Sequence, residues 1–434
     1  MLPRRAQCNT CVAVPVSRFP LVSWLASALV LTGAVPGQLR AQNANPQVRV
    51  LLLETAKVTV EAVQQPLVLR AGSQRWLLVS QQPVLLHLAG GSLVLERGAG
   101  VERLPAVTEL WLEPAVLPAG ASLDSQIGSK EGADFQLQQR GYRGRLQVLV
   151  GSSALQAVNH VPLEAYLPSV VASEMPASWP QAALRAQAVA ARTYALRQRK
   201  PAAAFDVSAT VSSQVYKGVE AETASTRQAV ASTRGQVLMF GPGLANTVFH
   251  SSAGGSTENS GDLWSQQLPY LVSVPDFDQH SPVHAWEERL EPEQLQKAFG
   301  EIGGAQRIDV LATTGSGRVR QARVTGPAGT LVLTGAQLRS RLGLKSTMVL
   351  FEVLAPELAA LPALPPLAAE PAISPDQGPV QLPPPSLLAI GRGFGHGVGM
   401  SQWGAHGLAN RGQSYEQILH HYYRGTELRP YVSP

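Results

Sequence analysis

Seven alanines fall between residues 182 and 195, in a run without glycine or proline, and few structures other than a closely packed helix can use such a stretch. Alanine has the highest helix propensity, and its smooth surface lets another backbone approach closely. Immediately upstream, Leu163, Tyr166, Leu167, Val170 and Val171 recur at intervals of three and four, the spacing of one buried helical face. Between the two runs, Met175 to Pro180 holds two prolines and Ser178. That pattern predicts a break, with Ser178 as the N-cap of the second helix and Pro180 in its first turn. The pair therefore sets one carboxylate, Glu174, at the end of an apolar helix. Such a setting disfavours the ionised form, raises the pKa and lets the acid hold a proton that it can donate. The competing reading is a helix-terminal glutamate that satisfies backbone donors or pairs with Arg185 or Arg192.

Four sequence blocks follow one another in order. They are EMPASWPQAALRAQAVAARTYAL from Glu174, DVSATVSSQVYKG from Asp206, FHSSAGGSTENS from Phe249 and GRGFGHGVGMSQWGA from Gly391. Together they resemble the stage II sporulation protein D family, whose domain is shared with the amidase enhancer proteins. The resemblance runs from about Tyr142 to the C-terminus and is far more specific than any one glycine-rich motif. It implies that the glutamate of the first block, Glu174 here, is the catalytic acid of a lytic transglycosylase acting on peptidoglycan glycan strands already stripped of peptides. It also implies an alternative, a wall-binding partner that stimulates a cell-wall amidase. Some members bind zinc through cysteines and a histidine in the second block. Here Ser208, Ser212 and Ser213 stand, and hydroxyls cannot replace thiolates as soft ligands. No zinc or other cofactor is expected.

Candidate substrate contacts lie in the third and fourth blocks. His250, Ser251, Ser252, Thr257, Glu258 and Asn259 supply donors and acceptors suited to sugar hydroxyls, and Gly254 and Gly255 let backbone approach a ligand. The match to the family block favours substrate contact for this loop. Around His396, glycines alternate with other residues, which invites comparison with a dinucleotide loop. The spacing differs, however, and the strand, helix and acidic residue of a βαβ unit are missing, so no nucleotide site is expected. The alternation fits a backbone that passes close to a glycan or to the Glu174 helix, with His396 and Gln402 directed at the same place. A hydrogen-bonded core histidine is the other reading of His396. Asp262, Asp276 and Asp278 are candidates for a second carboxylate, and Trp264 and Trp286 are either sugar-stacking or core residues. Hydrolysis of a glycosidic bond usually needs two carboxylates, whereas a lytic transglycosylase can work with one, because the sugar's own C6 hydroxyl is the nucleophile.

The reading is α+β: a catalytic domain over 141–434 with a buried helical pair and surrounding strands, preceded by a small β-rich domain over 42–140. In the latter, VRVLLLE, VTVEAV, PLVLRA, RWLLVS, VLLHLAG and SLVLER are short Val- and Leu-rich runs broken by Gly, Pro and Gln, a strand pattern. Ten prolines between residues 356 and 385 predict an insertion with little secondary structure of its own. Arg4 and Arg5 precede an apolar stretch from Phe19 to Val35, and Leu39-Arg40-Ala41 offers a cleavage site. Residues 1–41 therefore read as a signal for export to the periplasm or cell envelope, or as an uncleaved anchor. Both cysteines, Cys8 and Cys11, lie in that leader, leaving none to pair in the rest of the chain. A net charge of +5 without a long Lys/Arg run does not point to nucleic acid. It is as compatible with anionic wall polymers as with a merely solvated surface.

Overall fold

Alternation of apolar and polar residues in the first third of the chain becomes paired strands. The computed structural model describes residues 45–115, 132–354 and 384–432. The leader with both cysteines, and the proline-rich stretch apart from Pro384 and Pro385, lie outside these residues. Among the described residues, one sheet has seven strands in the order 207–208, 47–55, 155–162, 145–150, 109–114, 67–71 and 74–78. A second has six, in the order 140–142, 135–137, 57–62, 84–89, 92–97 and 100–104. Inward residues of both sheets, such as Val48, Val50, Leu69, Leu112 and Leu146 from the first and Val58, Val60, Leu86 and Leu95 from the second, share one apolar core. All six runs picked out by composition form strands.

The expected boundary near residue 140 has no counterpart in this pairing. Strand Gln47–Thr55 runs antiparallel to Leu155–Pro162 across the whole of its length, with Gln47 facing Pro162 and Thr55 facing Leu155. It also pairs in parallel with Val207–Ser208. Arg49 strengthens the join, because its backbone N–H and guanidinium both donate to Asp206. A strand whose ladder partners lie beyond residue 140 cannot be excised without leaving unpaired backbone groups. The β-rich segment and the helices are therefore one α+β unit.

The helical pair packs onto this sheet system. Helix α1 spans Leu163–Glu174 and α2 spans Gln181–Arg197. Pro180, not Ser178, occupies the N-cap of α2 and makes no side-chain cap; a proline there gives up only an N–H that the first turn would leave unpaired. Helix α2 packs against α1, against α3 (Ala224–Ser232) and against strand Gln236–Phe240. Ala183, Ala186, Ala188, Ala190, Ala191 and Ala195 are fully buried, so the alanine run is used for close approach on several sides.

One charged pair lies inside this helical layer. Arg192 of α2 donates to Glu164 of α1 in a two-pronged bond, Nε to Oε1 at 2.7 Å and Nη2 to Oε2 at 2.8 Å, and both side chains are buried. Further carbonyls, of Val230 and Gln236, accept from the same guanidinium. Arg192 is thus committed to Glu164 and leaves Glu174 without it.

A short α4 (Ser260–Leu263) follows the Phe249–Asn259 loop. Residues 285–354 and 384–392 then form a satellite with a core of its own, built on Trp286, Leu290, Phe299, Ala322, Val324, Leu338 and Leu387. It contains two three-stranded sheets with α5 (Pro292–Ala298) and α6 (Gly335–Leu342). Leu354 and Ser386 face each other across its ladder, so the proline-rich stretch is an excursion between two paired strands. After the satellite come α7 (Gln402–Asn410) and α8 (Tyr415–Tyr422). Ser414 and Gln417 form the capping box of α8 that their spacing suggests. Among the described residues no helix is long and apolar enough to cross a membrane.

Removing one member of the buried pair strands the other's charge, which typically costs about 3–5 kcal/mol. Glu164→Ala should therefore lower stability by about that amount, read as the shift in urea or thermal unfolding. A loss below about 1 kcal/mol would show that water reaches the guanidinium.

Candidate active site

Glu174 ends α1, where the following Met175 and Pro176 turn the chain away. Part of its side chain stays open to solvent while protein surrounds most of the carboxyl. Two neutral donors hold the carboxyl: the backbone N–H of Val215 reaches Oε1 at 2.9 Å, and the Gln402 amide reaches Oε2 at 3.1 Å. Burial pushes the Glu174 carboxyl above its ordinary value, opposed in part by these two hydrogen bonds and by the nearby charge of Lys217. Desolvation is the larger effect, so the net shift favours the protonated form relative to a free glutamate.

Each donor is itself anchored. Gln214 and Tyr216, on either side of Val215, are buried. Gln214 accepts from the Tyr166 hydroxyl and donates to the Ala191 carbonyl, and Tyr216 donates to Asn159. The Val215 N–H is thereby fixed against α1, α2 and the large sheet. Upstream on the same segment, the Ser208 hydroxyl lies 2.7 Å from that of Ser212, 3.2 Å from that of Thr210 and 3.3 Å from that of Ser213. The hydroxyls hold one another, and as a donor set they do not suit zinc.

Gln402 is positioned by a two-residue parallel ladder in which Phe249 faces Met400 and His250 faces Ser401. Ser401 then caps α7 by accepting from the Gly404 N–H, which places Gln402 in the first turn. This ladder joins the third and fourth sequence blocks. The alternate glycines make it possible, although they pass the segment around Val248–Ala253 and the satellite rather than the Glu174 helix. At Gly399 (φ 73°) an added Cβ would lie 2.2 Å from the Val248 carbonyl oxygen, and at Gly397 (φ 87°) it would lie 2.4 Å from the Arg318 guanidinium.

Most other sequence candidates turn inward. Both ring nitrogens of His396 are used by backbone: Nε2 donates to the Phe249 carbonyl at 3.1 Å and Nδ1 accepts from the Val398 N–H at 3.0 Å. Burial drives its pKa down to about 4, so it is neutral at neutral pH and its nitrogens are committed. His250 is buried, donates from Nδ1 to the Val398 carbonyl and is likewise held neutral by burial. The Ser252 hydroxyl and the Gly254 N–H both donate to Asp278. Glu258, 1% exposed, accepts from the Asn259 N–H and from the Thr314 and Ser316 hydroxyls of the satellite. Asn259 donates to Asp262 and accepts from the Ser273 N–H. Ser251 contributes its carbonyl to the Trp403 N–H, and Gly255 takes a positive φ of 108° in the same loop.

The three aspartates have partners of their own. Asp262 pairs with Arg320, Asp278 with His284 at 2.9 Å, and Asp276 accepts from the Tyr422 hydroxyl at 2.6 Å. Burial, and then the charge of Asp278, raise Asp276 to about 6. Trp286 is a core residue whose indole N–H donates to Gly393, while Trp264 is 38% exposed beside His396. Sequence reasoning missed Val215, whose contribution is a backbone N–H, and Arg318, buried in the satellite and donating to the Ala253 and Ser256 carbonyls. Neither leaves a side-chain signature in a single sequence.

Comparison with known proteins agrees with this arrangement of blocks. A family model described as stage II sporulation protein matches residues 151–240, which contain α1, α2 and Val215. Stage II sporulation protein D of Bacillus subtilis is 31% identical over 65% of this chain and 79% of its own length. Its counterpart in Bacillus amyloliquefaciens is 29% identical over 81% of this chain and 94% of its own. An amidase enhancer of Bacillus subtilis is 29% identical over 61% of this chain and 40% of its own length. With the matched region centred on the Glu174 helix and its Val215 donor, the chain belongs to the stage II sporulation protein D and amidase enhancer family.

Proposed function

We propose that the protein is a peptidoglycan lytic transglycosylase in which Glu174 is the single acid and base. The observation that carries this reading is a carboxyl with a raised pKa, held by two neutral donors, while Asp262, Asp276 and Asp278 are each engaged elsewhere. A single acid that holds its proton more tightly than a free glutamate suits a reaction whose nucleophile belongs to the substrate. Glu174 gives its proton to the oxygen linking N-acetylmuramic acid to N-acetylglucosamine, and the C1–O bond breaks. The C6 hydroxyl of the muramic residue closes on C1 and returns its proton to the carboxylate. The products are a 1,6-anhydro end and a free N-acetylglucosamine hydroxyl, with no water consumed. Val215 and Gln402 hold the carboxyl in one orientation through both steps and stabilise its anionic form between them. The leader at residues 1–41 is proposed to export the chain to the wall polymer it cuts.

A second reading, a non-catalytic activator of a cell-wall amidase, is favoured by the relative named as an amidase enhancer. Product chemistry separates the two. Peptide-free glycan strands incubated with the protein should yield fragments ending in anhydro-muramic acid by mass spectrometry, and Glu174→Gln should reduce their formation about a hundredfold or more, the usual scale of general acid–base catalysis. Intact strands with the folded wild type, together with stimulation of an added amidase, would establish the second reading instead.

Two pH effects follow from the raised Glu174 pKa. Activity needs the protonated acid, so it should persist above the ordinary glutamate value of about 4.3 and fall as pH rises through the folded-state pKa. A raised acid also contributes stability that is complete below the unfolded-state pKa and is lost as pH rises through the folded one. Thermal unfolding should therefore find Glu174→Gln more stable than wild type at pH 8, with the gain vanishing near pH 4 (about the unfolded-state value). A metal chelator should change neither the melting temperature nor the rate of strand cleavage, since the serine and threonine hydroxyls around Ser208 bond to one another.

A further inference from the structure

Helix α7 buries Gln402, Gly404, Ala405, Gly407 and Leu408. Trp403 and His406, three positions apart and so on one side of the helix, are only half-buried. Against them lies Trp179, from the connection between α1 and α2. The Trp179 and Trp403 rings meet at 4.8 Å between centroids in an edge-on arrangement, and His406 lies 4.7 Å from Trp179 and 5.5 Å from Trp403. Trp179 packs partly on the main core, whereas Trp403 has no place in that cluster. Its backbone is nevertheless fixed, because its N–H donates to the Ser251 carbonyl at 3.0 Å.

The two tryptophans are tied to the carboxyl along the chain, one through the segment that follows α1 and the other through Gln402. Trp179 stands five residues after Glu174, and Trp403 directly follows Gln402, whose amide holds Glu174. We propose that Trp179, Trp403 and His406 form a glycan subsite that stacks one pyranose ring next to the bond on which Glu174 acts. The proposal rests on a glycan strand being the substrate. A pyranose offers an apolar face of C–H groups with hydroxyls around its rim, which suits an indole face edged by ring nitrogens. His406 is shifted toward its neutral form by burial and by His280, and neither indole carries a charge. Its imidazole lies within 3.2 Å of the Asn410 amide one turn along, and these two groups are positioned for sugar hydroxyls. A shelf made of two indoles and an imidazole shifted toward neutral does not suit a phosphate-bearing ligand, which needs cations.

The test uses the full chain carrying Glu174→Gln, so that strands bind without being cut, and soluble peptide-stripped glycan strands as the probe. Tryptophan fluorescence on titration gives the affinity, and circular dichroism and the melting temperature report folding. Adding Trp403→Ala should weaken binding about tenfold or more, the effect of losing about 1.4 kcal/mol. Trp403→Phe should restore much of the loss, and Trp111→Phe, placed in the large sheet against His160, should change nothing. If Trp403→Ala fails to fold, Trp403→Phe and His406→Ala decide, each predicted to weaken binding measurably. Unchanged affinity in the folded variants, or no binding by the parent, overturns the subsite. Trp403-dependent binding by a wild type that never forms anhydro ends would keep the subsite and overturn the enzymatic reading. Cleavage whose KM is indifferent to residue 403 would do the reverse.

Discussion

The structure depends on holding a carboxyl where water only partly solvates it. Left alone, a desolvated carboxylate would be costly; nearby cations would pull its pKa down. Val215 and Gln402 satisfy the oxygens without supplying a full charge, and burial still leaves the pKa raised. The charge that does act on the carboxyl is that of Lys217, an exposed residue and the weakest of the influences on it. Arg192, the buried guanidinium of α2, is held by Glu164 in the same layer. That ion pair does more than join two helices: it keeps a strong cation occupied within the helical layer whose other carboxyl, Glu174, has a raised pKa.

Much of the polar sequence that looks like ligand chemistry serves to support this arrangement. The Phe249–Asn259 loop carries hydroxyls, an amide and a carboxylate, yet Ser252, Glu258 and Asn259 all bond within the protein. A loop folded between two cores must pair its buried polar groups, and the satellite supplies Thr314, Ser316 and Arg318 for the purpose. The satellite thus reaches the loop through its turn at 314–318 and braces it.

How much of this could be read in advance varied with the physics involved. Short Val- and Leu-rich runs gave strands of the first third, intervals of three and four gave α1 and alanine density gave α2, because burial writes itself into composition and spacing. Gln402 was legible through its block and does touch Glu174. The boundary at residue 140 was not, since strand Gln47–Thr55 takes its partners from sequence more than a hundred residues away, and pairing register leaves no local trace. His396 shows the limit for side chains: the sequence left it open between a substrate contact and a hydrogen-bonded core histidine, and the fold decides for the second, with backbone claiming both its nitrogens. Ser178 is not the cap because α2 begins two residues later than its position requires, with Pro180 at the N-cap.

Sequence separation within the site has a consequence in time. The Val215 donor lies 41 residues after Glu174, whereas the Gln402 donor lies 228 residues after it, beyond the whole satellite. Chains are made and begin to fold from the N-terminus, and contacts between distant residues form slowly. A nascent or truncated chain can complete α1, α2 and most of the large sheet while its carboxyl still lacks the amide partner. The site is therefore finished only after the satellite has been synthesised, which ties its competence to a chain folded through α7.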